Sequence, residues 1–168
     1  SEMQYGVIAG HAMLSYVTID QNDADWALVN SDGICDGPYD GQFVLSNTSI
    51  TRTTGGAVYA QNLEMAHTTI STNGAGIHLY NPSGRLRTMV GRTYEDAFNT
   101  STIANNTQFG IKLDDVYVPF DDLVIANNGV NCIGTGLTSL TGRYEAGVAT
   151  DESCSLVAHR FEVDSFGS

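Results

Sequence analysis

What this 168-residue chain lacks narrows its chemistry before any motif is found. Positive charge is scarce: seven Lys and Arg face 19 Asp and Glu, for a net charge of −12, and Lys112 is the single lysine. A chain so acidic repels a phosphate backbone, which all but rules out nucleic acid as a partner, and it disfavours docking to an anionic membrane. No apolar run approaches the roughly 18 residues of a membrane span, so membrane insertion is not expected. No leader-like segment precedes Ser1, as in a mature product or an excised piece. The three cysteines, Cys35, Cys132 and Cys154, form no C-x-x-C pair, which excludes a zinc ribbon or a thioredoxin-like motif. His11, His67, His78 and His159 show no helical i, i+4 pairing, so no helix-borne metal pattern forms. Sustained 3.6-residue periodicity is missing as well, which leaves little room for helices.

What is present is glycine, threonine and asparagine, 18, 17 and 12 residues respectively, beside a 42% hydrophobic fraction. That balance supports a buried core in one all-β domain with many turns. A repeat lies beneath it. Val17-Thr18-Ile19-Asp20-Gln21-Asn22, Thr48-Ser49-Ile50-Thr51-Arg52-Thr53, Thr68-Thr69-Ile70-Ser71-Thr72-Asn73, Ser101-Thr102-Ile103-Ala104-Asn105-Asn106 and Leu123-Val124-Ile125-Ala126-Asn127-Asn128 align without gaps. Their isoleucines lie 31, 20, 33 and 22 residues apart. With loops of roughly 11 to 13 residues removed from the longer steps, the period falls at the short end of the solenoid range. Each copy is followed by a second apolar strand, as in Ala57-Val58-Tyr59 or Gly110-Ile111-Lys112-Leu113.

Side chains alternate faces along a strand, so the isoleucines should form one buried column, with Thr18, Ser49, Thr69, Thr102 and Val124 outside it. Asn22, Thr53, Asn73, Asn106 and Asn128 form a turn column. Asparagine tolerates left-handed backbone, and its amide can bond the asparagine of the next coil. The leucine frame of a leucine-rich repeat is absent, and a β-sandwich would show no registered columns. The reading is a right-handed parallel β-helix of about six coils, one domain over residues 1–168. Loops are expected at 31–43 and 82–98, and a terminal coil or cap at 138–168.

This T-I-x-x-N … G-I-x-L pattern over roughly residues 5 to 137 resembles the right-handed parallel β-helix proteins of the pectin-lyase-like superfamily. Gly55-Gly56-Ala57-Val58 is weakly similar to the G-G-A-[ILV] signature of polymorphic outer-membrane and related surface repeat proteins. The resemblance implies the fold. Glycoside hydrolases on this fold use clustered carboxylates, and its lyases pair Ca²⁺-binding carboxylates with a Lys or Arg base.

Candidate chemistry sits mainly in the loops and acidic doublets. Asp32, Asp36 and Asp40, spaced by glycine, offer oxygen ligands for Ca²⁺, although a solvated turn cluster is the preferred reading. Arg85, Arg87 and Arg92 could hold the carboxylates of an acidic glycan or pair internally with Glu95 and Asp96. Asp114-Asp115 and Asp121-Asp122, with Lys112, are the catalytic candidates if the chain is a polysaccharide lyase or glycoside hydrolase; turn chemistry is the simpler account. Trp26, Tyr59, Tyr80 and Tyr117 either cover the sheet or form a sugar-stacking surface. His78, between inward Ile77 and Leu79, faces out. Cys132 and Cys154, one coil apart, suit a disulfide in an oxidising setting.

About six coils leave little length for a polysaccharide groove. The expected function is therefore a non-catalytic module of a secreted or cell-surface protein, adhesive or fibre-forming. Such a module would stack on itself or on neighbouring β-helix segments through uncapped ends, with glycan as a further partner and no obligatory cofactor. The alternative is a carbohydrate-active enzyme or fragment.

Overall fold

The structure, a computed structural model, describes residues 5–30, 42–81, 87–88, 97–144 and Cys154. Its elements are strands. The first four are β1 (Tyr5–Ala9), β2 (His11–Ser15), β3 (Thr18–Asp20) and β4 (Trp26–Asn30). Then come β5 (Gln42–Ser46), β6 (Ser49–Thr51), β7 (Gly56–Ala60), β8 (Asn62–Ala66), β9 (Thr69–Ser71) and β10 (Ala75–Tyr80). The last six are β11 (Arg87–Thr88), β12 (Phe98–Ala104), β13 (Phe109–Asp114), β14 (Val116–Ala126), β15 (Val130–Thr135) and β16 (Ser139–Tyr144).

They form two parallel sheets. Sheet A has the order β1-β4-β7-β10-β13-β15. Sheet B runs β2-β5-β8-β12-β9-β6-β3, with β14 paired to β11, β12 and β16. Every sheet A pairing joins the same part of successive repeats, 19 to 34 residues apart, so the chain meets itself once per repeat.

The isoleucine column forms as the sequence implies. Ile19 opposes Ile50, Ile50 opposes Ile70, Ile70 opposes Ile103 and Ile103 opposes Ile125. The last four are fully buried and Ile19 is half-buried. Sheet A stacks Val7, Leu28, Val58, Ile77, Ile111 and Cys132 in register. A third inward row, Leu14, Leu45, Met65, Phe98 and Phe120, follows the first half of sheet B. The buried members of all three rows merge into one core. Fully burying each such side chain is worth about 1.5–3 kcal/mol, and stacking places like on like.

The third row adds a strand to the two read from the sequence in each repeat. β2, β5, β8 and the first halves of β12 and β14 form an extra strand in each repeat. Residues 42 and 43, expected in a loop, open β5, and Phe43 is fully buried. Phe98 likewise opens β12 rather than closing a loop, and Arg87-Thr88 pairs with Val116-Tyr117. Of the expected terminal coil or cap at 138–168, all but 138–144 and Cys154 lies outside the described residues.

Corners recur in two columns of left-handed residues. Tyr16, Asn47, His67, Thr100 and Asp122 have φ between 42° and 57°, and Gln21, Arg52, Thr72, Asn105 and Asn127 between 53° and 61°. Left-handed backbone costs a non-glycine residue about 1–2 kcal/mol. Here the strained amide is tied to the next repeat: Asn47 N donates to Ala66 O at 3.0 Å, and Thr72 N to Ala104 O at 3.2 Å. The left-handed position thus falls one residue before the asparagine column, not on it.

That frees the asparagines for another task. Asn106 Oδ1 accepts from Asn73 N at 3.0 Å and from Asn73 Nδ2 at 3.1 Å. Asn128 Oδ1 accepts in the same way from Asn106, at 2.9 Å each. Asn131 Oδ1 ends the run by accepting from Asn128 N and Nδ2, at 3.1 and 2.8 Å. Each Nδ2 also donates to the carbonyl of an isoleucine in the preceding repeat, as Asn73 does to Ile50 O at 3.1 Å. At the start of the run Thr53 N donates to Asn73 Oδ1, while Thr53 Oγ1 is buried with no partner among the described residues.

Two substitutions test this ladder by urea unfolding. Asn106→Asp sets a carboxylate oxygen against Asn128 Oδ1 in a buried site and should cost about 2–3 kcal/mol. Thr53→Asn supplies the missing amide and should stabilise by about 1 kcal/mol. Equal unfolding midpoints for the three proteins would show that the ladder does not hold the repeats together.

Candidate functional site

The outer face of sheet A gathers a cluster of aromatic and ionisable side chains. Period-two alternation turns Ile77 and Leu79 inward, so His78 and Tyr80 point out. The parallel register then fixes their neighbours: Val29, Tyr59, His78, Lys112 and Ile133 form one lateral row, and Tyr80, Asp114 and Thr135 another. Trp26 stands opposite Gly56.

The rings touch in sequence across three strands. Tyr59 and Tyr80 stack with centroids 4.5 Å apart and planes inclined by 19°. His78 meets Tyr59 edge-on at 4.9 Å, and Trp26 lies 5.5 Å from Tyr59 and 6.3 Å from His78. The Trp26 indole lies across Gly56, where an added Cβ would come within 2.1 Å of its Cζ3. The preceding Gly55 is held against the backbone of Asp25, 2.1 Å from a hypothetical Cβ. The Gly55-Gly56 pair is therefore explained by close backbone approach and by the seat of one ring.

The aromatic row continues into a polar group. Asp114 Oδ2 lies 2.6 Å from His78 Nε2 and 3.6 Å from Lys112 Nζ, and Asp114 Oδ1 accepts from Thr135 Oγ1. Burial pushes the Asp114 carboxyl up, but the Thr135 and His78 hydrogen bonds and the nearby cationic groups outweigh it and hold it below its ordinary value. Burial lowers the His78 imidazole below 6.5, against the pull of Asp114. At neutral pH the cluster therefore holds an ionised carboxylate beside a neutral imidazole.

The other sequence candidates separate. Asp115 is a corner residue with φ 55°; its Oδ1 accepts from Leu137 N at 2.8 Å and its carbonyl from Asn81 Nδ2. Asp122 occupies the left-handed corner column, and Asp121 lies on β14 opposite Asn99. Tyr117 is on sheet B, away from the ring row. Arg87 is placed in β11, while Asp32, Asp36, Asp40, Arg85, Arg92 and Cys35 lie outside the described residues. Among the described residues no group of three or more His, Cys, Asp or Glu could hold a metal ion. Sequence reasoning passes over Glu64, fully buried on β8 between inward Leu63 and Met65; its one signal is an acidic residue inside an apolar run.

Cys132 and Cys154 are joined, with Cα atoms 4.8 Å apart, and both are buried. No family model, no curated protein and no solved structure matches this chain.

The cluster makes stability depend on pH. His78 has a folded pKa depressed below its unfolded value, so its contribution is full above about pH 6.5 and falls as pH drops below it. Asp114 adds a second loss in the same direction as pH falls below about 4. Urea midpoints between pH 7.5 and 5 should decline in the wild type and flatten in His78→Gln; parallel curves would contradict this. Gly56→Ala should displace Trp26, the single tryptophan, shifting its emission and costing about 1–3 kcal/mol; an unchanged spectrum would contradict the seat.

Proposed function

We propose that this chain is a non-catalytic module with a right-handed parallel β-helix fold, serving in a secreted or cell-surface protein of adhesive or fibre-forming kind. The observation that carries the reading is the repeat-to-repeat register, in which isoleucine meets isoleucine and asparagine meets asparagine. A stack of identical positions is what a solenoid needs and what a closed catalytic pocket does not. The resemblance to pectin-lyase-like repeats points the same way. The disulfide favours an oxidising compartment.

The two ends differ, which refines the expected stacking. The β15 edge is tied to later chain through Cys132 and Cys154, and the asparagine run stops there at Asn131. At the opposite edge Val7, Ile8, Met13 and Tyr16 are 39%, 55%, 67% and 82% exposed. Exposed apolar side chains on strands are a template for another strand set, so the proposed self-association falls on β1, β2 and β3.

The enzymatic alternative draws less support. A glycoside hydrolase needs two cooperating carboxyls, one protonated. Asp115 and Asp122 act as corner residues, and Asp114 is held ionised.

Light scattering over a concentration series tests the module. It should show association that Ile8→Lys with Met13→Lys abolishes; a monomer at every concentration would contradict the assignment. Incubation with neutral and acidic polysaccharides should release no reducing ends or unsaturated products. Turnover lost in Asp114→Asn would replace this reading with the enzymatic one.

A further inference from the structure

The outer face of sheet A carries more than a scaffold requires. A solenoid is held together by its inward rows, its corners and its backbone ladder; outward side chains need only be soluble. Here five strands instead present a continuous strip from Trp26 through Tyr59, His78 and Tyr80 to Lys112, Asp114 and Thr135. At about 4.8 Å between strands, the strip is roughly 19 Å long.

We infer that this strip binds a neutral oligosaccharide, with pyranose rings against Trp26 and the Tyr59–Tyr80 pair and sugar hydroxyls donating to Asp114. The inference goes beyond the self-associating module and does not depend on it, because the strip lies on a sheet face and the association edge does not.

Three features carry it. The indole lies across Gly56 with one face toward backbone, and Trp26 is only half-buried, so part of the ring remains accessible. An apolar face of that kind matches the C–H face of a pyranose, and an aromatic surface ending in polar groups suits a ligand that is apolar on its faces and hydroxylated at its rim. Asp114 supplies the polar end: two carboxylate oxygens offer about four acceptor sites, of which Thr135 and His78 occupy two, with Lys112 alongside.

Charge selects the neutral class. The one lysine of the strip already faces Asp114, so no unmatched cation is left among these residues to receive a carboxylate ligand. The chain's net charge of −12 adds repulsion against an anionic sugar.

Trp26 provides the readout, since no other tryptophan contributes emission. The wild-type protein is titrated with maltohexaose, cellohexaose and xylohexaose, and with hexagalacturonate as the anionic comparison. At least one neutral hexaose should give a saturable change in emission and saturation-transfer signals from its ring protons. Tyr80→Ala and Asp114→Asn should each weaken that binding by about tenfold or more, while Tyr80→Phe, which keeps the ring, should stay within about threefold. Asp114→Asn is isosteric and keeps the test valid if Tyr80→Ala fails to fold, as judged by circular dichroism. No response to any neutral hexaose at about 10 mM would overturn the inference. So would unchanged affinity in Asp114→Asn, or tighter binding of hexagalacturonate than of every neutral sugar.

Discussion

Repeat-to-repeat register is the constraint on which everything else in this molecule rests. Parallel strands can be joined only by long connections, so nothing local fixes which residue meets which. The asparagine run supplies that fixing. Asn106 and Asn128 each accept two bonds from the repeat before and donate onward, so a one-residue slip would break several buried hydrogen bonds together. It would also move the isoleucine column from the core to the solvent face. Apolar burial supplies the bulk of the driving force, while the buried amides specify the alignment.

The same register builds the outer face. Once Ile77 is opposite Ile111, His78 must lie beside Lys112, and Tyr80 beside Asp114. The aromatic row, the His78–Asp114 bond and the Lys112 contact are consequences of one alignment rather than separately assembled features. This also explains the scattered fate of the acidic residues. Asp114 is on a strand and joins the face, whereas Asp115, one residue later, turns the corner and bonds the backbone of the next repeat.

Much of this architecture is legible in the sequence, because the Thr-Ile-x-x-Asn segments repeat without internal gaps and each apolar position is a strand's inward side. The third strand of each repeat is not. Gln42-Phe43-Val44-Leu45 follows a stretch rich in Gly and Asp, and Asn62-Leu63-Glu64-Met65 carries an acidic residue, so neither shows the Thr/Ile pattern. The corner columns are hidden for a different reason. Tyr16, Arg52 and His67 carry no turn signature; the amides of Tyr16 and His67 donate instead to Ser46 O and Asn99 O of the next repeat. Of the candidate site, the ring types and the outward position of His78 are readable, while the grouping of Trp26 with Gly56 and of His78 with Asp114 requires the register. Asp32, Asp36, Asp40, Arg85 and Arg92 fall in stretches of sequence that break the repeat, where the repeat offers no guide.

Native-state hydrogen exchange of the backbone amides tests the central claim most directly, because those of Thr53, Asn73, Asn106 and Asn128 each donate to an asparagine side chain. If the asparagine run fixes the register, these four should exchange together, at the free energy of global unfolding and with the same denaturant dependence. Exchange of one or two of them through separate, low-energy local openings would contradict it.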